Sequence, residues 1–166
     1  HRSGDIAAMS YGELDRKATA IAANLRRLGV KKGDVVSFQL PNWWQFPALL
    51  IANTRIGAIN NPMMPIYRHR ELSFMLEHAG SRIFIAPTLF RNFDHGELAL
   101  TLKDEVAGLE HVLLIGGEGE NAFEDVLLDE DHDPLPAGCG ADPDGVTQLL
   151  FTSGTTGEPK GVMHTS

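Results

Sequence analysis

The chain has 166 residues, with 14 Lys and Arg against 22 Asp and Glu, a formal net charge of -8 and 43% hydrophobic residues. That length suits one domain burying roughly 70% of the surface its unfolded chain exposes, and the acid excess argues against nucleic acid as a general partner. A single cysteine, Cys139, excludes an internal disulfide framework and a thiolate metal cluster, and the longest apolar run, Ala48 to Ala52, is too short for a membrane span. A cytoplasmic location is therefore expected, although the chain starts at His1 and no targeting signal is read from that edge.

Ser10 and Glu13 fit a capping box, and Leu14, Ala18, Ile21, Ala22, Leu25 and Leu28 recur at helical intervals up to Gly29. Arg26 and Arg27 fall in the last turn, where they favour the helix dipole rather than form a basic binding site. Lys31 to Asp34 reads as a turn, and Val35 to Leu40 as a buried strand ended by Pro41. Trp43 to Ile56 has helical length with Gly57 as its stop, and its two tryptophans are expected to pack. Ala58 to Asn61 is a short strand, after which Pro62 and Pro65 impose an extended, turning segment. The pattern then predicts a helix from about His69 to Ala79, a strand over Arg82 to Ala86, a helix over about Gly96 to Ala107 and a strand over His111 to Ile115. Strand alternating with helix predicts an α/β fold, a mostly parallel sheet with helices on both faces. The order of the strands is not legible.

From Gly117 to Gly145 the composition changes, because ten of the 22 acids lie there and no Lys or Arg does. Ala122 to Leu128 suits a short helix. The chain is accordingly divided into an α/β subdomain over 1–128, an acidic Pro/Gly-rich linker over 129–145, and a last piece over 146–166. The acidic run Asp129 to Asp133 lacks the intervals of a calcium loop and reads as a solvated surface. The seven histidines show no metal-ligand spacing, so no zinc or iron site is expected. Outside the acidic stretch, 14 basic residues face 12 acidic ones, and a nearly neutral body is no obstacle to an anionic ligand.

The last piece carries the chemistry. The β-prone run Leu149-Leu150-Phe151 gives way to Thr152-Ser153-Gly154-Thr155-Thr156-Gly157, followed by Glu158-Pro159-Lys160-Gly161-Val162. Gly154, Gly157 and Gly161 can take backbone angles closed to other residues, so that successive N–H groups turn toward one anion. Thr152, Ser153, Thr155 and Thr156 add hydroxyl donors, and Lys160 adds a full positive charge. The spacing is that of neither a Walker loop, a Rossmann turn nor a nucleophile elbow. Phosphate binding through Thr152, Ser153, Gly154, Thr155, Thr156, Gly157 and Lys160 is the expectation, with no catalytic nucleophile or base among them. Small side chains and three glycines also predict that Thr152 to Gly161 is mobile without nucleotide.

The order Thr-Ser-Gly-Thr-Thr-Gly-x-Pro-Lys-Gly-Val over Thr152 to Val162 resembles the signature of the adenylate-forming superfamily, which includes acyl-CoA synthetases, luciferases and peptide-synthetase adenylation domains. Ser10-Tyr11-Gly12-Glu13-Leu14 and Arg55 to Pro62 resemble two further segments of that superfamily, in the same order. Pro41 to Phe46, Pro62 to Tyr67 and Gly161 to Ser166 are most similar to acyl-CoA ligases of the cyclohexanecarboxylate and short-chain fatty acid type. The resemblance implies the N-terminal part of an enzyme that joins a carboxylic acid to ATP, releases pyrophosphate and passes the acyl group to coenzyme A. It also implies Mg2+ with the ATP, its protein ligand lying beyond Ser166, and a chain inactive by itself. A non-catalytic nucleotide-binding module and an inert α/β domain are the alternatives, and the oligomeric state is not legible.

Overall fold

The computed structural model describes residues 9–152 and 159–165. Ser10 opens helix α1 (Tyr11–Arg27): its Oγ accepts from the Glu13 N–H at 3.2 Å, and its own N–H donates to the Glu13 carboxylate at 2.9 Å, so two otherwise orphaned donors are satisfied. After strand β1 (Val35–Phe38), helix α2 (Gln45–Ile56) stops at Gly57, and after strand β2 (Ile59–Pro62), helix α3 (His69–Ala79) stops at Gly80. Both glycines have positive φ, 70° and 61°, and close their helices in the left-handed conformation. Strand β3 (Ser81–Pro87) leads into a short hairpin of β4 (Leu89–Phe90) and β5 (Phe93–Asp94), then α4 (His95–Glu105), β6 (His111–Ile115), a single 3-10 turn (Gly119–Asn121) and α5 (Phe123–Leu127). Strands β7 (Val146–Thr152) and β8 (Lys160–Thr165) complete the described chain.

The main sheet has the order β6-β3-β1-β2-β7-β8; every neighbouring pair is parallel except β7 and β8, which are antiparallel. Alternation along the strands builds two cores. Ile83 and Ile85 of β3 and Leu113 and Ile115 of β6 meet α1, α2 and α5, whereas Phe84, Ala86, Val112 and Leu114 meet α3 and α4. Helices therefore cover both faces, as alternating strand and helix predict. Trp43 and Trp44 pack against the first core rather than forming a platform.

The hairpin between β3 and α4 has no counterpart in the sequence reading. Arg91 and Asn92 occupy its tip at φ 49° and 60°, positions where glycine is the usual signal. The expected strand over Val35 to Leu40 stops at Phe38, although the Gln39 N–H still reaches Ile85 O at 2.8 Å.

Residues 129–145 carry no helix or strand, yet they are fastened as a strap across the ends of α1 and α2. The buried Asn24 amide donates to Leu127 O and Asp129 O, and Arg27 pairs with Asp129 at 3.1 Å. Further along, the Cys139 thiol donates to Arg55 O, the Ala141 N–H donates to Thr54 O, and Lys32 pairs with Asp142. The strap passes so close to Gly57 that a Cβ there would lie 3.1 Å from the carbonyl oxygens of Cys139 and Gly140. Gly57→Ala is expected to lower stability by about 1–2 kcal/mol from the left-handed backbone alone. The measurement is a denaturant midpoint at unchanged slope, and a midpoint equal to that of the original chain would refute it.

Candidate functional site

Because β7 runs parallel to β2, Thr152 ends its strand at the carboxyl edge of the sheet, where β1 ends at Phe38 and β2 at Pro62. That edge is where open α/β sheets bind ligands. The antiparallel register continues to the end of β7, with Thr152 opposite Lys160, and the Thr152 Oγ1 hydroxyl donates to Lys160 O at 3.4 Å. Opposed residues of an antiparallel pair project on one face, so the Thr152 hydroxyl and the Lys160 side chain leave the hairpin together. Both are exposed. The structure thus brings two of the expected phosphate ligands to the two ends of one connection. The other five, Ser153, Gly154, Thr155, Thr156 and Gly157, lie outside the described residues, as does most of the segment expected to be mobile.

Gly161 departs from its expected role. It is not among the glycines with positive φ, so it does not serve as a left-handed turn residue. A Cβ there would instead meet Leu149 Cδ1 at 3.1 Å and the Phe151 ring at 3.5 Å. Its lack of a side chain lets Phe151 lie across the hairpin, where that ring packs edge-on against His78, itself stacked on Phe74 of α3. The strand feeding the loop is thereby braced against a helix. His164 is exposed on β8.

A second cluster at the carboxyl edge was not legible in the sequence. Gln39, just past β1, donates its Nε2 hydrogens to Met64 O at 2.8 Å and Tyr67 O at 3.0 Å, which clasps the segment after β2. Its Oε1 must then accept, so His95 Nδ1 donates to it at 2.9 Å, which leaves His95 Nε2 buried without a partner. Phe90 and Phe93 lie against the His95 ring, Trp43 meets Phe90 edge-on, and the Arg68 guanidinium lies 3.9 Å from the centre of the Phe93 ring.

Burial, and next the charge of Arg68, holds His95 below the ordinary histidine value, with Asp94 opposing. A histidine whose folded pKa is depressed leaves stability intact above its unfolded value of about 6.5 and removes it as pH falls from there toward the folded value. His95→Gln is expected to flatten the loss of thermal stability between about pH 6.5 and pH 5. An unchanged pH dependence would show that other groups set it.

Among the described residues, no three His, Cys, Asp or Glu side chains gather as metal ligands, and no helix is long and apolar enough to cross a membrane. Comparison with known proteins gives a match to the family described as AMP-binding enzyme over residues 2–166. The medium-chain fatty-acid–CoA ligase of Escherichia coli (strain K12) is 32% identical over 163 residues, covering 96% of this chain and 28% of that enzyme. The salicyl-AMP ligase / salicyl-S-ArCP synthetase of Mycobacterium tuberculosis is 34% identical over 157 residues, covering 95% of this chain and 28% of that protein. Among solved structures, the apo structure of MbtA from Mycobacterium smegmatis superposes with a TM-score of 0.82 at 30% identity, over 94% of this chain and 28% of that one. The chain therefore spans less than a third of the length of these relatives.

Proposed function

The chain belongs to the AMP-binding enzyme family, and from that premise we propose that it forms the phosphate-gripping part of an enzyme that activates a carboxylic acid with ATP. The observation that carries this reading is the hairpin at the carboxyl edge of the sheet, with Thr152 and Lys160 opposed at the two ends of a Ser/Thr/Gly connection. In the proposed reaction a carboxylate oxygen attacks the α-phosphorus of ATP, the bond to the β-phosphate oxygen breaks, and pyrophosphate leaves. The thiol sulfur then attacks the acyl carbon of the acyl-adenylate, forming the thioester as the carbon–oxygen bond to AMP breaks, and AMP and the thiol proton are released.

Charge builds on the leaving pyrophosphate as that bond breaks. Donors fixed beforehand on the β- and γ-phosphates stabilise this charge more than they stabilise the bound ATP, which is the condition for acceleration. The Lys160 ammonium, Ser153, Gly154, Thr155, Thr156 and Gly157 are proposed as these donors, together with the Thr152 hydroxyl once it turns from its long contact with Lys160 O. Mg2+ is proposed to arrive as the counter-ion of the ATP phosphates, and no step is assigned to a protein-held ion.

Coenzyme A is the proposed thiol, supported by the likeness to the fatty-acid–CoA ligase of Escherichia coli. The relative whose name pairs an AMP ligase with an S-ArCP synthetase favours a carrier-bound thiol as the second reading. The test incubates the protein that carries this chain with Mg-ATP, labelled pyrophosphate and a panel of aliphatic, alicyclic and aromatic acids. Acid-dependent exchange of label into ATP is expected, together with consumption of coenzyme A. Exchange without coenzyme A consumption would move the assignment to the carrier-bound thiol, and absence of exchange with every acid would refute the activation step.

A further inference from the structure

Strand β7 delivers Thr152 to the candidate site, yet beyond the Phe151 ring set against His78 its hold on the body is slender. Every residue from Val146 to Phe151 is only partly buried, β8 on its far side is exposed along its whole length, and the ladder to β2 has one pair, Asn60 opposite Gln148, among the described residues. A strand held so lightly is prone to slip, and a slip of one residue turns every side chain to the other face. Something other than the ladder has to set its register.

That role falls to two buried asparagines. Asn60 of β2 is 3% exposed, and its Nδ2 donates to the backbone carbonyl of Thr147 on β7 at 3.2 Å. A carbonyl only accepts, so the Asn60 amide has a single allowed orientation, with Oδ1 turned back toward α2. There Asn53, which is wholly buried, donates its Nδ2 to Asn60 Oδ1 at 2.8 Å. Asn53 Oδ1 has no partner, so Asn53 spends its buried amide on orienting Asn60. Buried amides of this kind are costly unless their hydrogen bonds are made. Here the bonds run in one direction, from the last turns of α2 through β2 to the strand that carries the phosphate loop.

We infer that Asn60, oriented by Asn53, is a positioning residue for ATP: it sets the register of β7 and so the place of Thr152. This rests on the proposed function. It touches no substrate in this arrangement and acts only through the backbone of β7. Misplacing a binding group by about 1 Å costs up to about a hundredfold, so a loosened but intact strand should cost about tenfold.

The test compares Asn60→Ala, Asn53→Ala and the double variant in the protein that carries this chain, with two readouts. The first is steady-state kinetics. Asn60→Ala is expected to raise KM for Mg-ATP about tenfold while KM for the acid stays within about twofold, a split that general destabilisation does not produce. The second is amide hydrogen exchange without nucleotide. The amides of Gln148 to Thr152 are expected to exchange about tenfold faster in Asn60→Ala, with β1 and β3 unchanged. Because Asn53 acts only through Asn60, Asn53→Ala should show a smaller effect of the same kind and add nothing in the double variant. It also serves where Asn60→Ala fails to fold. Unchanged exchange in β7, uniformly faster exchange across the sheet, or additive effects in the double variant would each overturn the inference. If the original protein shows no acid-dependent pyrophosphate exchange, the proposed function falls, and hydrogen exchange still decides the relay.

Discussion

Lys160→Ala is expected to slow acid-dependent pyrophosphate exchange about ten- to a hundredfold while leaving thermal stability nearly unchanged. The two effects separate because of where the residue lies. Lys160 is exposed at the start of an edge strand and opposite Thr152, so its side chain contributes little to either core. Its backbone, which pairs with Thr152, survives the substitution. What the proposed function has the variant lose is a charge-assisted contact to phosphate, about 1.5–3 kcal/mol, which corresponds to that range of rates. Lys160→Arg keeps the charge but replaces a compact ammonium with a wide fork, and should recover only part of the rate. Unchanged exchange in a folded Lys160→Ala variant would remove Lys160 from the proposed site.

A larger effect is expected when the 166-residue chain is assayed alone. With Mg-ATP and the same panel of acids it should release no pyrophosphate above background, against full turnover by the protein that carries it. The proposed donors of this chain act on the phosphates only, and no side chain here has been assigned to the adenine, the ribose or the acid. Relatives such as the Escherichia coli ligase are more than three times as long as the matched region. The exposed strand β8, with Val162 42% and Met163 70% accessible, presents apolar surface that a sheet edge ordinarily covers. Turnover by the chain alone at a rate comparable with the whole protein would refute this expectation and relocate the acid-binding groups to these residues.

Much of the architecture was legible because its signals are local. Glycine at positions 57 and 80 ended α2 and α3 where the sequence places their stops, since the left-handed cap is a property of those residues themselves. Strand order was not legible, because parallel neighbours are joined through crossovers and nothing in β1 alone says that β2 and β3 flank it. The β4–β5 hairpin stayed hidden for a different reason: Arg91 and Asn92 take positive φ without the glycine that normally announces it. At the site, residue types pointed to phosphate, but they misassigned Gly161, whose constraint is the Phe151 ring and not the turn. The ties of the strap at Cys139 and Ala141 were invisible because they end on the carbonyls of Arg55 and Thr54, which any sequence would offer. Asn60 was overlooked since an asparagine in a short strand reads as an approaching turn; its meaning appears only when Thr147 lies beside it.

The separation between those last two residues bears on how the molecule is made. Strands β7 and β8 are neighbours in the chain and can zip together in microseconds, whereas joining β7 to β2 closes a loop of more than eighty residues. The body from α1 to α5 is assembled from shorter connections, so the hairpin should dock after it. In a refolding experiment, protection of the Thr147 to Thr152 amides should lag behind that of β1 and β3. On the proposed function, the grip on nucleotide would then come last, after both cores are already in place.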